Sequence, residues 1–95
     1  MKYEDLVLIS HPYKVYSKFK KIYPRDSDIK ISTRKNKKYM IYDPNIKKWF
    51  HFGSTMEDYT FHKDLQRRLK FKTRNRRWSD ANIYTPAHAS YYLLW

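Results

Sequence analysis

The sequence predicts an α+β fold: a three-stranded antiparallel sheet packed by a long basic helix, with an N-terminal helix and a short apolar C-terminal helix. Three observations carry that expectation. Two runs rich in strand-forming residues, Lys38–Tyr42 and Lys48–Phe52, flank Asp43-Pro44-Asn45, where proline presets φ and the Asx side chains bond nearby backbone. From Ser54 onward the spacing becomes helical, opened by a Ser54-x-x-Glu57 pattern in which serine and glutamate would satisfy orphaned backbone N–H groups. Finally, Pro86–Trp95 contains no Lys, Arg, Asp or Glu in a chain of net charge +12, and a charge-free end of so basic a protein belongs in a core.

The elements follow in order. Leu6–Ile9 (LVLI) is a strand or the start of a helix, too short for periodicity to decide, and His11-Pro12 interrupts it. In Tyr13–Tyr23, Val15, Phe19 and Ile22 recur at helical spacing, and Pro24 ends the helix. After the polar connector Arg25–Asp28, Ile29–Thr33 alternates as a half-buried strand should, and the basic turn Arg34–Lys38 joins it to the hairpin as a meander. Gly53, the only glycine, marks a position needing positive φ or close approach. Beyond it, at roughly 100° per residue, Phe61, Leu65 and Leu69 share the face expected to pack on the sheet, opposite Lys63, Arg67, Lys70 and Arg74. Asn75–Asp80 is a break with Trp78 as an aromatic plug. Thr85-Pro86 then starts the last helix, from which Ala87, Tyr91, Leu94 and Trp95 are expected to dock. The 95 residues make one domain, with 1–28 as an N-terminal extension to a β-β-β-α-α core over 29–95.

Composition bounds the function. A net charge of +12 and a pI near 9.9 favour a polyanionic partner, nucleic acid first and an acidic protein or membrane surface second. The absence of cysteine excludes disulfides and thiolate metal sites. No secretory leader pattern is visible near Met1, and no stretch approaches the roughly 20 apolar residues of a spanning helix.

Between Lys63 and Arg77 stand eight Lys or Arg against one acid, Asp64, so the helix face lacks the interleaved carboxylates that i,i+4 pairing uses. The expected phosphate-contacting residues are Lys63, Arg67, Lys70 and Arg74, extended by Arg76 and Arg77 and by the turn residues Arg34, Lys35, Lys37 and Lys38. The sheet's solvent face would show Tyr and Trp, residues that could stack on unpaired bases. The four histidines have no H-x-x-x-H spacing, and the nine acids are too dispersed for a Mg²⁺ site. Asp58 and His62 share a helix face, where a plain hydrogen bond between them is expected. The reading is therefore a non-enzyme without cofactor or metal. Its partner is nucleic acid, DNA favoured, or the acidic surfaces of other proteins.

The segments HFG (His51–Gly53), EDYTFHKD (Glu57–Asp64), Arg67-Arg68 and SYYLLW (Ser90–Trp95) resemble a family of small basic proteins encoded by large nucleocytoplasmic DNA viruses of eukaryotes. The resemblance runs from about Ile29 to Trp95. The chain departs from it at Thr55-Met56, where such proteins tend to carry a Gly-aromatic pair, and at Arg74-Asn75, where an Arg-His pair often closes the helix. The resemblance implies a viral setting, in the virion or the infected cell, and no biochemical mechanism; in that setting the alternative partners would be acidic surfaces of virion proteins, which the chain would join as a minor capsid, cement or scaffold component.

Overall fold

The computed structural model describes all 95 residues. A short helix α1 (Tyr3–Leu6) leads into α2 (Pro12–Ile22), so the LVLI run is helical at its start and not a strand. His11 caps α2, its Nδ1 accepting the Lys14 N–H at 3.3 Å, and Pro12 takes the first helical position, where a missing N–H costs nothing. Val15 and Phe19 of α2 are buried as their spacing predicts. Ile22 is not. Tyr23 replaces it, stacked on Phe19 at 4.9 Å and donating its hydroxyl to the Ile83 carbonyl at 2.8 Å.

The strands β1 (Asp28–Ile31), β2 (Tyr39–Asp43) and β3 (Lys48–Phe52) form an antiparallel meander in the order β1-β2-β3. Ile29, Ile41 and Phe50 stand opposite one another, as do Ile31, Tyr39 and Phe52, and these two rows face the core. The alternate rows, Asp28–Tyr42–Trp49 and Lys30–Met40–His51, face outward. Asp43 Oδ1 accepts the Asn45 N–H at 2.9 Å within the β2–β3 turn. Gly53 has φ +86, with Leu94 and Lys38 packed where a Cβ would stand.

The long basic helix is corrected by the structure to two pieces, α3 (Tyr59–His62) and α4 (Leu65–Arg74), and the Ser54/Glu57 box does not form. Asp58 is the reason for the late start. It is buried, its Oδ2 holding the Lys38 ammonium at 3.1 Å and its Oδ1 accepting the Thr60 hydroxyl, so residues 54–58 remain a loop. Lys63 then adopts a left-handed conformation (φ 57, ψ 26), and Asp64 caps a fresh helix by accepting from Gln66 N–H and Arg67 N–H at 3.0 and 3.2 Å. This break rotates α4 away from the expected orientation. Leu65 and Leu69 are 66% and 67% exposed, and it is Phe71 that faces inward, stacked on Trp95 at 4.4 Å.

A 3₁₀ turn (Arg76–Asp80) carries Trp78 and leads toward α5 (Pro86–Ala89), which Thr85 caps through the His88 N–H. The chain then widens into a π-helical turn over Ser90–Leu94, where Trp95 N–H reaches back five residues to the Ser90 carbonyl. That wider turn shifts the phase of the apolar face. Ala89, Leu93 and Leu94 are buried, whereas Ala87, Tyr91 and Trp95, expected with Leu94 to dock onto the core or a partner, are half-buried. The core unites Leu6, Val15, Phe19 and Tyr23 from residues 1–28 with Tyr39, Ile41 and Phe52 of the sheet and these C-terminal residues.

Candidate nucleic-acid interface

A groove of about 740 Å³ runs between α4, the loop 53–57 and the C-terminal helical segment. Phe71, Trp78 and Trp95 contribute aromatic surface to it, and Met56, Pro86 and Leu94 aliphatic surface. Lys37, Arg67, Lys70 and Arg74 line it as well. On α4 these last three project on one flank because they are spaced i, i+3, i+7. The groove's one acidic side chain is Glu57, whose Oε1 lies 3.4 Å from Arg67 Nη1 in a half-exposed pair that water and salt screen. The rim thus retains a strong positive excess.

The remaining expected contact residues separate. Lys38 does not belong to the surface: it is 2% exposed, and its ammonium is committed to Asp58. It also lines the groove, and its backbone N–H bonds toward the Phe52 and Gly53 carbonyls. Lys63 sits at the helix break next to Lys14 of α2, and its charge lowers the pKa of Lys14. Arg34 and Lys35 are exposed in the β1–β2 turn and Arg76 and Arg77 in the 3₁₀ turn, all outside the groove lining.

A second cationic cluster, absent from the sequence reading, occupies the other flank of α4. Burial pushes the Lys18 and Lys72 ammonium groups below their usual range, and the neighbouring Arg68 guanidinium pushes both further. Arg68 lies over the Tyr59 ring at 5.0 Å and donates its Nε–H to the Trp95 carbonyl at 2.7 Å, while Lys72 lies over Tyr91 at 4.6 Å. The i,i+4 spacings Lys14–Lys18 and Arg68–Lys72 were available as a signal. Which helix faces meet depends on the break at Lys63, so the cluster could not be assembled from spacing alone.

The outward sheet face carries the expected Tyr and Trp. Tyr42 and Trp49 pack at 5.4 Å, and Lys30 lies over the Trp49 ring at 5.3 Å. The histidines hold separate local bonds. His51 Nδ1 pairs with the Ser32 hydroxyl at 2.7 Å, and burial, then Arg34 and Lys37, keep its pKa low. His88 Nδ1 meets the Tyr23 hydroxyl at 3.1 Å. The expected Asp58–His62 bond is not made: Asp58 serves Lys38 and Thr60, and His62 Nδ1 instead accepts the Asp64 N–H at 2.9 Å. No three His, Asp or Glu side chains gather where a metal ion could sit, and no helix is long and apolar enough to cross a membrane.

Residues 27–75 match a protein family described as a family of unknown function (DUF5754). No curated protein and no solved structure matches the chain.

Proposed function

Because the chain belongs to DUF5754, a family of unknown function, we propose its role from its own surface: a non-enzymatic nucleic-acid-binding protein that contacts phosphates through a folded cationic face. The observation that carries this reading is that Lys37, Arg67, Lys70 and Arg74 line one groove with a single acidic side chain, Glu57, which pairs with Arg67. Such a cluster stores like-charge repulsion that a polyanion relieves, and guanidinium groups pair with phosphate through parallel N–H bonds. The second cluster, Lys14, Lys18, Arg68 and Lys72, continues positive potential across α4. DNA is the expected polyanion, and a viral setting rests on the resemblance of the segments given above.

The test is a salt series of binding to labelled duplex and single-stranded DNA, comparing the wild type with the triple variant Arg67→Gln, Lys70→Gln, Arg74→Gln. Each lost phosphate contact removes about 0.9 from the slope of log affinity against log salt, so the duplex slope should fall by up to about 2.7. A wild type that binds no nucleic acid at low salt would refute the reading.

One observation favours a second reading, a component of a protein assembly: Leu65 and Leu69 stand 66% and 67% exposed on α4, with cations on both flanks. Exposed leucines contribute nothing to phosphate contact, whereas they suit an apolar patch rimmed by carboxylates on another virion protein. Unchanged DNA affinity in Leu65→Gln, Leu69→Gln, together with lost assembly, would separate the two.

A further inference from the structure

We propose that the groove beside α4 accepts one unpaired base of a single strand, with Trp78 as the stacking surface and Arg67, Lys70 and Arg74 holding the flanking phosphates. The inference rests on the nucleic-acid reading above and deepens it, from a polyanion in general to an unpaired nucleotide within a strand.

The groove's size and chemistry point this way. At about 740 Å³ it falls within the roughly 300–1,000 Å³ of small-ligand sites, large enough for a nucleotide and far too small for a duplex. A phosphate-binding surface for duplex DNA needs cations and polar donors but no recessed aromatic wall. Here cations and aromatic rings line one groove. Among the groove's rings, Phe52 is stacked on Tyr39, and Phe71 and Trp95 are stacked on each other with planes 8° apart. Trp78 differs. It meets Phe71 edge to face, at 5.8 Å and 74°, and has no ring parallel to it. Bases in a duplex already have their faces covered by neighbours, so only an unpaired base can use such a ring, and indole stacking tolerates any base. Trp78 also sits directly after Arg76 and Arg77, both exposed, and Met56 opens onto the same groove, 67% exposed. Arg67, Lys70 and Arg74 thus line the groove that holds the ring, and Arg76 and Arg77 precede it in the chain, cations for phosphates that flank one inserted base.

The experiment uses the full chain with Trp49→Phe, so that tryptophan fluorescence reports only Trp78 and Trp95. The probes are a labelled twelve-residue deoxyadenylate, the same strand paired with its complement, and free adenosine monophosphate. The single strand should quench the fluorescence and bind about tenfold more tightly than the duplex, the scale of one stacked base. Trp78→Leu keeps an apolar side chain without an aromatic face and should abolish that preference, bringing single-strand affinity down to that of the duplex for the same variant; Trp78→Phe, still able to stack, should retain most of the preference. Thermal unfolding of both variants confirms that they fold. Equal affinity for single strand and duplex, or indifference of the single strand to Trp78→Leu, would overturn the inference. So would adenosine monophosphate binding as tightly as the strand, which would make the groove a mononucleotide pocket. If Trp78→Leu changes nothing while Arg67→Gln, Lys70→Gln, Arg74→Gln still loses both DNAs, the phosphate reading survives without the base.

Discussion

The Lys38 ammonium lies 3.1 Å from Oδ2 of Asp58, and the two side chains are only 2% and 0% exposed. The pair ties the start of β2 to the loop before α3, and it forms the ground under the basic groove. Burial lowers the pKa of Lys38 while Asp58 opposes that shift, so the attraction and the desolvation cost work against each other. Removing one partner is worse than removing both. Lys38→Met strands a buried carboxylate and should cost about 3–5 kcal/mol in urea unfolding, and adding Asp58→Leu should recover much of it. A Lys38→Met loss below about 1 kcal/mol would mean that Asp58 finds water in the folded chain.

Alkaline stability reports on two buried phenols. Burial raises the hydroxyl pKa of Tyr23 and Tyr39 well above the ordinary 10.0, so the folded chain holds two protons that the unfolded chain releases. Their contribution is complete below pH 10 and is lost as pH rises beyond it. Lysines with lowered values, Lys18, Lys38 and Lys72 among them, act in the opposite sense, adding stability as pH climbs toward their ordinary 10.5, after which their contribution is complete. Above pH 10.5 only the tyrosines act, and stability should fall by about 1.4 kcal/mol per pH unit for each. Tyr39→Phe should halve that slope. Phenolate absorbance should show two of the ten tyrosines titrating only when the chain unfolds.

The orientation of α4 is testable by a pair of substitutions. Leu65→Gln with Leu69→Gln, both at exposed positions, should change stability by no more than about 0.5 kcal/mol. Phe71→Ala removes the ring stacked on Trp95 and should cost roughly 2 kcal/mol, below the 3–5 typical of a fully buried phenylalanine. The reverse ranking would restore the expected face.

At Lys63 the left-handed backbone imposes a strain of about 1–2 kcal/mol on a side chain with a Cβ, and its ammonium also stands against Lys14. Asparagine tolerates that conformation and carries no charge. Lys63→Asn should therefore raise stability by about 1 kcal/mol in thermal unfolding, and a loss would show that the ammonium has a stabilising role that its neighbours do not reveal.

The sheet was legible because its signals are local: alternation in β1, aromatic-rich runs in β2 and β3, and a turn sequence between them. The C-terminal segment was legible as buried from its missing charges, but not in phase, because the π turn over Ser90–Leu94 breaks the ordinary helical count. The basic helix misled for a related reason. Phe61, Leu65 and Leu69 keep a perfect helical spacing, yet nothing in that spacing reveals that Asp58 will leave the helix to meet Lys38, twenty residues away in sequence. Of the residues singled out from charge alone, Arg67, Lys70, Arg74 and Lys37 line the groove, whereas Lys38 is buried against Asp58, which its sequence could not show because a buried lysine reads like any other in a basic run. Trp78 was noticed as a plug, but its place in the groove depends on tertiary packing.

The left-handed residue between α3 and α4 acts as a phase setter for the whole surface. Each residue added or removed between Asp58 and Leu65 would turn α4 by about 100° about its axis, exchanging the side chains presented to the groove for those of another stripe. In this fold the spacing of that short linker, as much as the number of its arginines, decides which charges stand together.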